Sequence, residues 1–272
     1  MSTLRTLGSA AGAAAVVGGL VLVATPANAA DTATVSVLHA VPNTPVDVYA
    51  NGERLIDDFQ PGTLTDPLTL PAGTYDLAIF PADAPDGSGE PLLSAMDVAV
   101  PAGADATVVA HLQEDGSPTL TPFVNDTSAV PAGQARVTVR HTAAAPAVDV
   151  RAGGTPVVQG LTNPNEETLT VPAGTVSADV VLAGTDTVAI GPADLTLAEG
   201  TSTIVYAWGD GESGYDLAVQ TISGMHSMPT GVPGGSAGLA DEGSTLPMVA
   251  AFSVAGLAVA GAGALRVARN RG

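Results

Sequence analysis

Val35-Ser36-Val37-Leu38-His39, leading to Val46-Asp47-Val48-Tyr49-Ala50-Asn51-Gly52, occurs a second time as Val137-Thr138-Val139-Arg140-His141, leading to Val148-Asp149-Val150-Arg151-Ala152-Gly153-Gly154. The likeness continues through Leu68-Thr69-Leu70-Pro71-Ala72-Gly73-Thr74 against Leu169-Thr170-Val171-Pro172-Ala173-Gly174-Thr175, and ends at Gly103 against Gly200. Matched positions lie 102 residues apart at the histidines, 101 at Gly73 and Gly174, and 97 at the last glycines. Small insertions therefore separate two copies of one duplicated domain.

Each copy reads as short strands. From Thr34 to His39, Val35 and Val37 fall on one face and Ser36 and Leu38 on the other, which is the period of a β-strand. Asn51-Gly52 and Gly153-Gly154 tolerate the positive φ angles of a type I′ hairpin turn. Further strands are expected at Leu68–Leu70, Tyr75–Phe80, Leu92–Val100, Ala106–Leu112 and Thr119–Val124. In the second copy they fall around Leu169 and at Ser177–Leu182, Asp194–Leu197, Ser202–Trp208 and Tyr215–Ile222. Seven or so strands per copy, bounded by Pro, Gly and Asp and without helical periodicity, predict an all-β protein of two tandem Ig-like Greek-key β-sandwiches at residues 30–128 and 132–223. The connection 125–133 is short, so the two are expected to sit as beads with restricted reorientation, each folding on its own core.

The ends point to the cell surface. Arg5, an apolar run from Ala10 to Ala24 and the small-residue exit Ala27-Asn28-Ala29 make residues 1–29 a secretory signal peptide. Residues 224–244 are rich in Gly, Ser and Pro and read as a flexible stalk. Leu246–Leu265 carries no charge and is long enough to span a membrane as a helix, giving a transmembrane segment at 245–265. Arg266, Arg269 and Arg271 follow in a basic tail, 266–272, which stays cytoplasmic while the ectodomain is extracellular. Leu246-Pro247 lacks the Thr-Gly that a sortase would cleave, so the expected localisation is the cell membrane, as a single-pass protein.

All 27 acidic residues lie between Asp31 and Glu242, against four arginines and no lysine, giving this region a formal charge of −23. Such a surface repels nucleic acid and anionic lipid. There is no cysteine, so the exported part rests on packing without disulfides. Aromatics are 3% of the chain and leave the core to Val, Leu, Ile and Ala.

The repeated segment of His, Val-Asp-Val and Pro-Ala-Gly-Thr resembles DUF4397, a bacterial family of exported proteins of unknown function, over roughly Thr32 to Ser223. The resemblance implies tandem β-sandwiches behind a signal peptide, often with a C-terminal anchor, and brings no activity with it. The second copy departs from the pattern where Ala144-Ala145 replaces Pro42-Asn43.

His39 and Asp47, like His141 and Asp149, invite a dyad. Strand parity opposes it: His39 shares the face of Val35 and Val37, whereas Asp47 faces away from that of Val46 and Val48. The expected roles are a histidine bonded at the rim of the core and an aspartate ordering a turn. No Cys, no G-x-S-x-G elbow and few histidines leave no catalytic group, and the chain reads as non-enzymatic. Acidic loops at Asp83–Glu90 and Asp210–Asp216 are candidate calcium sites, but neither fits an EF-hand and no metal ligand or cofactor is assigned. The function expected is a membrane-anchored surface protein presenting tandem sandwiches for interaction or envelope structure; the alternative is an extracellular ligand-binding module for calcium or carbohydrate. Asn125-Asp126-Thr127 fits a glycosylation sequon.

Overall fold

Residues 31–227 are described by the structure, a computed structural model. The signal peptide, the transmembrane segment, the basic tail and all but the first residues of the stalk lie outside the described residues. Among the described residues no helix is long and apolar enough to cross a membrane. The first copy has eight strands: β1 (Thr32–Ala40), β2 (Val46–Ala50), β3 (Glu53–Phe59), β4 (Leu68–Pro71), β5 (Gly73–Pro81), β6 (Leu93–Val100), β7 (Asp105–Leu112) and β8 (Pro118–Val124). The second repeats them as β9 (Gln134–His141), β10 (Val148–Ala152), β11 (Thr155–Leu161), β12 (Glu166–Pro172), β13 (Gly174–Leu182), β14 (Val188–Leu197), β15 (Ser202–Asp210) and β16 (Gly214–Ile222).

Two four-stranded sheets form each copy, ordered β4-β1-β7-β8 and β3-β2-β5-β6 in the first, β12-β9-β15-β16 and β11-β10-β13-β14 in the second. The pairing of β1 with β7, and of β9 with β15, is parallel; the others are antiparallel. Both predicted hairpin turns are present, with φ of 52° and 80° at Asn51 and Gly52 and of 54° and 79° at Gly153 and Gly154. Strands β3 and β11 were not anticipated. Their sequences, with Glu53-Arg54 and Asp57-Asp58 in one and Pro156 and Gly160 in the other, lie mostly exposed, so no buried face imposes alternation on them.

The first sandwich closes on Val37, Val46, Val48, Phe59 and Ile79, with Val35, Val100 and Val108 beside them. The second closes on Val137, Val139, Val148, Val150, Val180 and Leu197. A third apolar cluster belongs to neither sandwich alone. Leu38, Ala40, Val109 and Phe123, on the outer face of the first copy's β4-β1-β7-β8 sheet, pack against Ile204, Tyr206 and Ala218 of the second copy's β12-β9-β15-β16 sheet. Nearly all of β1, β7, β9 and β15 is therefore buried on both faces.

The expectation of two beads is thereby corrected: the copies are fused face to face. Burying a Leu, Ile or Phe side chain stabilises by about 1.5–3 kcal/mol, and several do so here, enough to hold the copies in one orientation and to make each depend on the other.

Strand directions fix which loops share an end. Asp31 bonds to Ala72, Thr32 to Gly103, and Met225 both to Gly200 and to Val130 of the connection. Entry, connection and exit thus lie at one end. At the other end Asn43 of the first copy donates to Ser213 of the second at 2.8 Å, and the side-chain amide of Asn163 donates to Leu112 O and Ala143 O at 2.8 and 2.6 Å, bridging the copies. The copies stand side by side, loops beside loops.

Candidate functional site

His39 closes β1 on its inner face, where Nε2–H donates to Thr44 O at 2.7 Å; His141 does the same to Pro146 O at 3.0 Å. A carbonyl only accepts, so the proton sits on Nε2, and the backbone N–H groups of Val41 and Ala143 face the lone pair of Nδ1. Burial pushes both histidines below their ordinary pKa, more than these carbonyls raise them.

Neither histidine bonds its aspartate. Asp47 accepts from Asp58 N at 2.9 Å and from Arg54 at 3.1 Å, while Asp149 accepts from Gly160 N at 2.7 Å and Gly184 N at 3.0 Å. Asp58 and Gly160 have φ of 50° and 65° and sit in β-bulges of β3 and β11. Each carboxylate therefore pins the bulge of a neighbouring strand, close to the turn-ordering role read from the sequence, and the motif offers no proton relay.

The seam between the copies holds a polar chain that the sequence did not reveal. Asn125 Nδ2 donates to Thr107 Oγ1 at 3.1 Å, and Thr107 donates to Gln220 Oε1 at 2.9 Å. Arg140 donates to Tyr206 OH at 2.8 Å, and Tyr206 donates to the same Gln220 oxygen at 2.7 Å. Arg140, 1% exposed, also reaches Glu166 at 2.7 Å and lies over the Phe123 ring. These bonds satisfy hydroxyl, amide and guanidinium groups that burial would otherwise penalise, though Asn125 Oδ1 is buried without a partner. Burial raises the Tyr206 phenol above its usual pKa, against the pull of Arg140. Asn125 is 4% exposed and its amide is spent on Thr107 and Asp105, so the sequon is closed to modification. The signal for this seam was Leu38 and Val109, apolar residues on faces that an isolated sandwich would give to water.

The end remote from the chain's entry and exit carries the longest loops. Between the start of β6 and the start of β8 the first sandwich gapes into a cavity of about 220 Å³, walled by Val41, Val46, Ile79, Leu92 and Leu93 with His39 at its floor. The flanking connection and hairpin bear Asp83, Asp86, Glu90, Glu114 and Asp115, all exposed. Asp86 caps its own turn through Ser88, and Asp210 likewise accepts from Glu212 N and Ser213 N. Among the described residues no three His, Asp or Glu groups converge on one point.

Curated proteins yield no match to the chain. Residues 33–151 match the family model described as Domain of unknown function (DUF4397). The matched stretch runs from β1 into β10 and contains His39, Asp47, His141 and Asp149, and it makes the chain a DUF4397 domain-containing protein.

Proposed function

We infer that this is a non-enzymatic, membrane-anchored surface protein whose paired Ig-like Greek-key sandwiches act as one rigid head. The observation that carries the reading is the shared end: Asp31, the 125–133 connection and Met225 lie together, and the loops of both copies lie at the opposite pole. With the signal peptide ahead of Asp31 and the apolar segment Leu246–Leu265 after Met225 in the sequence, the chain enters and leaves the head at the pole opposite its loops, which supports a reading in which the loops are displayed. Side-by-side fusion makes both loop sets available to one partner. The buried histidines and the Arg140–Tyr206–Gln220 chain are consumed by packing, which favours display over chemistry.

The reading is tested on intact cells. Protease added from outside should remove the head and leave a small membrane-embedded fragment with a protected basic tail. Recovery of the head in the medium, or covalently joined to peptidoglycan, would overturn the anchoring.

A further inference from the structure

The apolar cavity of the first sandwich is open at the pole remote from Asp31 and Met225. It exists because β5 and β6 are joined by eleven residues, 82–92, where the matching β13–β14 connection has five, 183–187. The longer connection ends in Leu92, which with Leu93 at the start of β6 lines the gap between the sheets, and Leu92 is left 51% exposed at the mouth. Whole small-molecule ligands occupy pockets of about 300–1,000 Å³. A space of about 220 Å³ is smaller than that and suits one large apolar side chain inserted as an anchor.

The surroundings say what such a side chain is attached to. Asp83, Asp86 and Glu90 lie on the connection that forms one rim, and Glu114 and Asp115 on the hairpin before Pro118, which forms another. The only arginine of the first copy, Arg54, is held by Asp47 and Asp57. The rim charges are thus uncompensated, and an anchor flanked by acids would be repelled while one flanked by bases is drawn in.

We propose that the mouth between β6 and β8 of the first sandwich binds a basic peptide segment, seating one bulky apolar side chain in the cavity and placing flanking Arg or Lys against the acidic rim. This deepens the display reading by naming the partner's chemistry, but the site stands on the head alone.

The test uses the full chain in zwitterionic nanodiscs and a labelled peptide, Arg-Arg-Leu-Phe-Arg-Arg with blocked ends, followed by fluorescence anisotropy. Saturable one-to-one binding is expected. It should weaken about tenfold, some 1.4 kcal/mol, when Leu and Phe of the peptide become Ala, and again when its arginines become Glu. Leu92→Ser, a surface change that leaves the fold intact, should weaken it similarly. Glu90→Gln with Asp115→Asn should weaken it and flatten its dependence on salt. Equal binding of the Ala peptide, indifference to Leu92→Ser, or no saturable binding would each overturn the site. The protease experiment is independent: a chain found outside the membrane that still binds the peptide keeps this site and loses the anchoring, and the converse result loses only the site.

Discussion

The guanidinium of Arg140 lies 4.4 Å from the ring centroid of Phe123, a cation of the second copy covered by an aromatic of the first. The duplication places Leu38 where Arg140 stands and Gln220 where Phe123 stands, since Thr107 pairs with Phe123 as Ile204 pairs with Gln220. The seam therefore joins equivalent faces around a pseudo-two-fold axis, and the chemistry has diverged between them. Both copies contribute to the apolar cluster and to the polar chain, but the buried cation, Arg140, comes from the second copy and the ring that covers it, Phe123, from the first.

Phe123→Ala is expected to cost about 3–5 kcal/mol, the usual range for a buried Phe, and to uncover Arg140 as well. Because the cluster is shared, thermal unfolding of the head should be a single transition that moves as a whole. The separated fragments 31–127 and 132–223 should each melt below the intact head. Two independent transitions, only one of them shifted by Phe123→Ala, would show that the seam does not couple the copies.

Gln220→Leu removes the oxygen that accepts from both Thr107 and Tyr206. Each stranded hydroxyl costs about 1–3 kcal/mol. Adding Thr107→Val removes one of the stranded groups, so the double variant should be more stable than the sum of the singles predicts. A double-mutant cycle in urea should give a coupling of at least about 0.5 kcal/mol; strict additivity would count against the chain of bonds.

Much of this fold was legible because the inner cores place valines at alternate positions, Val35 and Val37, Val46 and Val48, and their repeats, and because Asn51-Gly52 and Gly153-Gly154 admit few conformations other than the turns they form. Strand β3 escaped because both its faces meet water at Glu53, Arg54 and Asp57. The seam escaped for a different reason: Ser36, Thr107, Thr138 and Gln220 look like solvent-facing polar residues, and only pairing across the copies shows them buried. The separation of His39 from Asp47 followed from parity and needed no coordinates, whereas the cavity depends on how a long connection settles, which local pattern does not encode.

Asp58 adopts a φ of 50° with its side chain exposed, where the second copy has Gly160. A left-handed backbone costs a non-glycine residue roughly 1–2 kcal/mol. Asp58→Gly should therefore stabilise the head by up to about 1 kcal/mol, allowing for the extra entropy of glycine in the unfolded chain, and Gly160→Ala should do the reverse, with no steric clash to add since its Cβ would meet open space. Asp47→Ala should destabilise, by leaving Asp58 N without its acceptor and Arg54 with Asp57 alone. Paired melting curves decide it; opposite signs would show that bulge geometry is not what these positions control.

Calcium should leave the melting temperature of the head unchanged within about 1 °C. Asp210 spends its oxygens on Glu212 N, Ser213 N and Ser213 Oγ, and Asp216 accepts from Leu217 N. A ligand that binds only the folded state at a hundred times its Kd would stabilise by about 2.7 kcal/mol, which is easily seen. A rise of several degrees, reversed by chelation, would put a calcium site in these loops.

Acidification should weaken the head in a window set by its three buried histidines. His39 and His141 keep Nδ1 unprotonated opposite backbone N–H groups. His111 donates from Nδ1 to Leu112 O and meets Thr121 Oγ1 at Nε2, each at under 3 Å. All three have folded pKa values below the ordinary 6.5, chiefly through burial; His141 also depresses His111, while Glu114 pulls His141 up. The unfolded chain therefore binds more protons than the folded one just below pH 6.5. Stability is fully present above that pH and declines as pH falls toward and through the folded pKa values, by at most about 1.4 kcal/mol per pH unit for each histidine. The carboxylates with lowered pKa, among them Asp149 and Asp179, act later, below about pH 4. Urea midpoints measured between pH 7.5 and 5 should fall for the native sequence, and His111→Gln should reduce the slope even where it lowers stability overall. A flat profile between pH 7 and 5 would mean that these rings are charged, or free to become so, inside the fold.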